Sequence, residues 1–197
     1  SAANMTITPR AGFLGTYYTN SADGDGKWIG MGAFGGDISS SLYSYYGTSK
    51  HVIEPYVGYT YYTSPSSSPS QHYIFDEDDA LTEYNVLRFG IRNSYFTKDT
   101  QSFSRPLLFA DIYGNAFFYK KVEDKKIPSA NARVVWQYKP KLTLEGKAGW
   151  DFIYDEFDHY SGAIRWTKNE DLAASIEYLH RSAHSWRKAD RTSFFLE

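Results

Sequence analysis

From Leu142 to Tyr154 the side chains alternate without a break. Leu142, Leu144, Gly146, Ala148, Trp150, Phe152 and Tyr154 fall on one side of an extended chain. Thr143, Glu145, Lys147, Gly149 and Asp151 fall on the other. A period of two over this length is a strand with one greasy and one wet surface. It specifies register strongly, because a slip by one residue would exchange the two surfaces.

The pattern recurs along the chain. Ile53, Pro55, Val57, Tyr59 and Tyr61 oppose Val52, Glu54, Tyr56, Gly58 and Thr60. Leu87, Phe89, Ile91 and Tyr95 oppose Arg88, Gly90, Arg92 and Ser94. Ala130, Ala132, Val134, Trp136 and Tyr138 oppose Asn131, Arg133, Gln137 and Lys139, and Leu172, Ala174, Ile176 and Tyr178 oppose Ser175 and Glu177. Residues 6–19, 28–46, 105–120, 159–167 and 185–196 complete about ten predicted strands, and helical periodicity is almost absent.

Turn chemistry separates the strands. Short polar turns are predicted at Gly47–Lys50, Lys98–Ser102, Lys139–Lys141 and Thr167–Asp171. Longer connections are predicted at Asn20–Lys27, Ser64–Glu83, Val122–Pro128, Asp155–Asp158 and Arg181–Arg187. Short and long take turns, as in an antiparallel up-and-down sheet whose long loops share one end. Transmembrane β-barrels have this order, with tight inner turns and longer outer loops. The expected fold is therefore all-β: an antiparallel up-and-down transmembrane barrel of about ten strands, or a segment of a larger one.

Composition supports that choice. Mean hydropathy is −0.53, and no run reaches the roughly 18 apolar residues of a membrane helix. Yet the chain holds 18 Tyr, 13 Phe and 5 Trp. With the short turns taken as the inner side, Tyr43, Tyr45, Tyr46, Tyr138 and Trp166 lie at inner strand ends. Tyr17, Tyr18, Trp28, Tyr59, Tyr61, Tyr62, Trp150, Tyr154 and Tyr160 lie at outer ends. Rings at both ends suit a membrane interface. Strand propensity alone also enriches Tyr and Trp, but the strand middles carry Gly, Ala, Val, Leu and Ile instead. Pro55 gives no N–H to a ladder, so it is expected near the inner rim, where a bulge or water satisfies its neighbour.

Net charge is −2 with signs interspersed, and no basic stripe marks a nucleic-acid surface. There is no cysteine, which excludes disulfide and thiol chemistry within these residues. The chain starts at Ser1 without a visible signal peptide and reads as a mature protein or an excised segment.

The wet faces carry Glu54, Arg88, Arg92, Asp111, Arg133, Glu145, Lys147, Asp151, Arg165 and Glu177. In a barrel they point into the lumen, since Arg or Lys at mid-bilayer on the lipid side costs about 2–4 kcal/mol. They either hydrate a path for an anionic glycolipid or grip a plug protein, or they pair across strands and fill the lumen. The run Asp76-Glu77-Asp78-Asp79 has the oxygen chemistry for a divalent cation but not the spacing of a calcium loop, and a solvated loop is expected. Asp23-Gly24-Asp25-Gly26 lacks the later bidentate Glu and reads as a turn. His51, His72, His180 and His184 show no metal-ligand spacing.

Two other classes remain open. Outer-membrane proteases of the omptin type resemble this chain in strand number and in Asp23-x-Asp25, but here Asp158 and His159 are adjacent. Adjacent residues of a strand are expected on opposite faces, which would part that pair. A soluble β-sandwich that binds sugar or protein would show similar alternation. It would hold large aliphatics mid-strand, whereas Ala130 with Ala132, or Gly146 with Ala148, would leave voids in a dry core. A porin-like stand-alone barrel belongs with the first class. No catalysis, cofactor or metal is expected.

One region resembles a known family. HVIEPYVGYTYYTSP (51–65), the loop SPSSSPS (64–70), IFDEDDALTEYNVLRFGIRN (74–93) and the glycine-broken strand before them are similar to the lipopolysaccharide-assembly outer-membrane proteins, also called organic-solvent-tolerance proteins. The similarity covers residues 50 to 98, about a quarter of the chain. It implies a large outer-membrane barrel preceded by a periplasmic β-jellyroll, with a lipoprotein plug inside. It implies receipt of lipopolysaccharide from a periplasmic bridge and its insertion into the outer leaflet, through a seam between first and last strands. This chain shows neither the jellyroll nor the family's disulfide cysteines, and FFLE does not end on an aromatic. An internal piece of the barrel is expected.

Overall fold

The computed structural model describes residues 2–19, 26–67, 83–97, 106–118, 126–169, 172–182 and 189–196. Asp23, Asp25, the acidic run 76–79, His72 and His184 lie outside them. The described residues form ten strands. These are β1 (Ala2–Tyr18), β2 (Lys27–Tyr46), β3 (Ser49–Tyr62), β4 (Tyr84–Thr97) and β5 (Leu108–Phe117). They continue with β6 (Ser129–Lys139), β7 (Leu142–Asp151), β8 (Glu156–Asn169), β9 (Leu172–Arg181) and β10 (Ala189–Leu196). Every strand pairs antiparallel with its sequence neighbours in one sheet, ordered β1 through β10. The sheet is open: β1 pairs only with β2, and β10 only with β9.

The register bears out the predicted alternation. Arg92 stands opposite Asp111, and Asp111 opposite Arg133. Arg133 stands opposite Lys147. On the other surface Val57 faces Phe89, Ile91 faces Ile112, and Leu144 faces Ile164. Directly opposed residues share a face, so the sheet has one charged and one apolar surface across its whole width.

Burial shows which surface is enclosed. Ile112 is 62 % exposed, Ile91 53 % and Phe34 52 %, all on the apolar face. Of the five buried apolar side chains among the described residues, Ile29, Met31, Tyr56 and Val86 lie on the charged face and only the small Ala116 on the apolar one. Asp111 is only 9 % exposed. A soluble sheet buries its apolar side; this one presents it outward. The described strands lie in a single sheet, so they are not the two packed layers of a sandwich.

Strand length and connections depart from expectation in instructive ways. β2 has 20 residues, about twice the 9–11 that cross a bilayer. At one end the loops are two residues at Gly47–Thr48 and two at Pro140–Lys141. Gly47 adopts φ 60° at the first position of its loop, as a two-residue hairpin of the II′ kind requires. The connection between Thr97 and Leu108 is longer than the predicted Lys98–Ser102 turn, because β5 starts at Leu108 rather than near residue 105. The β7–β8 connection is the four-residue turn Phe152–Asp155, not Asp155–Asp158. Phe152 and Tyr154 therefore leave the strand that alternation assigned them to. Asp151 ends it, its carboxylate accepting from the Ile153 and Tyr154 amides at 2.6 and 3.2 Å.

Pro55 is not at a rim. It is the seventh residue of the 14-residue β3, opposite Ile91 on β4. The β2–β3 ladder runs from Ser39–Tyr56 to Leu42–Ile53 and skips Ser40 and Ser41. The register is the same on both sides of the gap, so no bulge forms. The missing proline N–H leaves an interruption in mid-sheet, and the Ser41 hydroxyl donates to Glu54 beside it at 3.3 Å.

Candidate functional site: the charged face and its rims

The charged face is built from cross-strand neighbours on β3 to β7. Arg92 on β4 donates to Glu54 on β3 at 2.6 Å, and its Nε lies 4.0 Å from Asp111 on β5. Arg133 on β6 donates to Glu145 on β7 at 2.8 Å, and Lys147 reaches the same oxygen at 3.3 Å. One carboxylate thus serves two cations.

Glycine opens room for aromatic rings between these charges. Tyr56 donates to Asp111 at 3.0 Å, reaching from β3 across β4 to β5. It passes over Gly90, where an added Cβ would lie 2.7 Å from the Tyr56 hydroxyl and 2.7 Å from the Ile112 carbonyl. The Arg92 guanidinium sits 4.2 Å from the Tyr56 ring centre, and Arg88 sits 3.8 Å from that of Tyr113. Such cation–ring contacts contribute about 0.5–2 kcal/mol each, more as water is excluded.

Of the ten residues expected to face inward, all occupy the charged face by register. Glu54, Arg92 and Asp111 form one cluster, and Arg133, Glu145 and Lys147 a second. Arg165 and Glu177 border a separate cavity of about 710 Å³ with Glu145, Ser175 and Phe195. Asp151 is at the strand end and is spent on its turn. Sequence reasoning missed Tyr56 and Tyr113 as partners of the arginines, although Tyr56 shares the parity of Glu54. It also missed the Arg10–Asp37 pair at 3.1 Å on β1 and β2.

Fewer aromatic rings than expected lie on the apolar face at the two strand ends. Tyr46, Trp136, Tyr138 and Trp166 stand exposed at the short-turn end. At the other end Tyr17, Trp28, Tyr59 and Tyr160 are exposed and Trp150 is half-buried, with Phe13 stacked on Trp28 at 6.2 Å. Tyr43 and Tyr45 instead share a face with Lys50, whose ammonium lies 4.8 and 5.8 Å from their rings. Tyr18 and Tyr62 likewise fall on the charged face by register. At the long-loop end of the apolar face His180 bonds Asp190 at 2.6 Å and stacks on Tyr160 at 4.7 Å. Tyr178 donates to the same Asp190 at 3.1 Å. Each of these rings carries a polar tip on an apolar body.

Asp158 and His159 are not parted. The β7–β8 register shifts between Gly149 and Trp150, and this bulge lets Asp158 Oδ2 reach His159 Nδ1 at 2.9 Å. A bulge re-aims a side chain that strict alternation would send away. No group of three or more His, Cys, Asp or Glu side chains able to hold a metal occurs among the described residues.

The fold defines this chain as an all-β protein with one open, ten-stranded, up-and-down antiparallel sheet. No family model matches the chain, and no curated protein matches it.

Proposed function

We propose that this chain is a wall of an outer-membrane β-barrel. Its apolar face looks out at acyl chains, and its charged face lines a water-filled lumen. The observation that carries the reading is the apolar surface exposed across all ten strands, opposite a surface that holds the mid-strand charges. In water that arrangement would leave a contiguous greasy patch far larger than soluble monomers show. In a bilayer it satisfies both sides.

The task we assign to the wall is transport of lipopolysaccharide and its insertion into the outer leaflet. This step rests on the similarity of residues 50–98 to the lipopolysaccharide-assembly family. It also suits a polar lumen that keeps sugars wet beside a lipid-facing belt. The partners in this reading are lipopolysaccharide, outer-membrane lipids, a plug lipoprotein and periplasmic bridge proteins. The work is transfer, with no covalent step.

Refolding into phosphatidylcholine vesicles tests the wall. Bromine-labelled acyl chains should quench the emission of Trp136 and Trp166, and the folded form should migrate faster than the boiled form in detergent gels. A stable, detergent-free monomer that shows no quenching would overturn it. Photo-crosslinkers placed at Arg88 and, as a control, at Ile112 test the cargo in cells. Lipopolysaccharide adducts at position 88 with its sugar portion are expected, and their absence would remove the transport assignment while leaving the barrel.

A further inference from the structure

Between β4 and β8 the charged face encloses a cavity of about 370 Å³. Arg88, Arg133, Lys147, Asn131, Tyr113, His159 and the carboxylate of Asp111 line it. Four cations, Arg88, Arg92, Arg133 and Lys147, meet four carboxylates in and beside the middle rows, Glu54, Asp111, Glu145 and Asp158, the last bonded to His159. Glu54 is taken by Arg92, and Glu145 by both Arg133 and Lys147. Asp111 is held by the Tyr56 hydroxyl.

Arg88 has no carboxylate partner among the described residues. Its guanidinium carbon lies 3.8 Å from the Tyr113 ring centre, and the guanidinium donates to the Tyr56 hydroxyl. The ring contact limits the freedom of the fork, and Arg88 is among the residues that line the cavity. A planar, pre-ordered guanidinium is suited to bidentate capture of an oxyanion. Lys147, paired with Glu145, adds an ammonium and Asn131 an amide. His159 is engaged by Asp158 through Nδ1, which leaves Nε2 as its second polar atom.

We propose that this cavity is a binding site for a phosphate group, with Arg88 as the principal ligand and Lys147 and Arg133 supplying charge. The group is carried either by a phosphorylated sugar lipid or by free phosphate. The site rests on the reading of the charged face as a lumen wall, and its test separates the two ideas.

The 197-residue chain, refolded in dodecyl maltoside, is titrated with inorganic phosphate and followed by ³¹P line width. Saturable broadening is expected. Arg88→Gln should weaken it about tenfold, the loss of one charge-assisted contact. Arg88→Lys should fall between, and Arg10→Gln, on the same face but outside the cavity, should leave it unchanged. Should Arg88→Gln fail to show the folded gel mobility, Lys147→Gln provides the same comparison. A parallel titration with diphosphorylated lipid A in mixed micelles names the source. Binding of lipid A much tighter than phosphate, and equally dependent on Arg88, assigns a lipid headgroup; equal affinities assign the free ion. Absence of saturation, or equal binding by Arg88→Gln and Arg10→Gln, overturns the site. If the chain folds only without detergent, the membrane reading fails, and the same phosphate titration in buffer still decides the cavity.

Discussion

The Tyr56 hydroxyl reaches Asp111 at 3.0 Å across an intervening strand. The bond exists because Gly90 leaves the space above β4 vacant. Asp111 is nearly buried, and its ion pair with Arg92 is long, at 4.0 Å. Tyr56→Phe should therefore cost about 1–3 kcal/mol, the penalty of stranding a buried acceptor. Gly90→Ala should cost a similar amount, because its Cβ would meet the Ile112 carbonyl as well as the tyrosine. The urea midpoint of the refolded chain reads both, and midpoints equal to wild type would contradict this account of the row.

The apolar face gives a sharper contrast. Ile112→Lys places an ammonium in the middle of that face, where Arg or Lys costs about 2–4 kcal/mol at a bilayer midplane. Ala163→Lys, on the charged face opposite Glu145, should be tolerated. Folding yields into vesicles measure the difference. Equal yields would mean that Ile112 never meets hydrocarbon.

Pro55 marks a removable defect. Pro55→Val supplies an N–H opposite Ser40 and retains an apolar side chain. Closing the gap should add one ladder bond, about 0.5–1.5 kcal/mol. Hydrogen exchange at the new amide is the direct readout: slow exchange is expected, and solvent-like exchange would show that the strands remain apart there.

The two sheet margins offer a geometric test. Thr6 on β1 and Ser193 on β10 both belong to the charged face and sit on edges with no partner strand. A Thr6→Cys, Ser193→Cys chain should stay reduced under mild oxidant, since a disulfide needs Cα atoms within about 7 Å. Rapid, quantitative crosslinking would show that β1 and β10 meet.

Much of the sheet was readable because a period of two is insensitive to the details of any turn. Leu144, Glu145 and Lys147 took their faces from that period alone. It failed where the count of residues per rung changed. The bulge at Asp158 joined a pair that parity would separate, and Tyr43 and Tyr45 landed beside Lys50 because nearness to a turn says nothing about face. Pro55 was misplaced although the bounds of its strand were legible: a proline was expected to sit at a rim, whereas the β2–β3 ladder passes it in mid-strand by losing pairs without changing register. The Arg88 stack on Tyr113 depends on two strands whose register no local pattern reveals.

One consequence lies in the length of β2. Twenty residues at roughly 3.3 Å each extend about 66 Å, and a 45° lean still leaves some 47 Å against an oily slab of about 30 Å. β3 ends opposite Ala33, so residues 27–32 rise beyond it with β1 alongside and with Thr63 and Ser66 bound to Gly32 and Gly30. In the proposed barrel this tongue would stand like a parapet above the end of β3, lengthening the wall on that side beyond the oily slab.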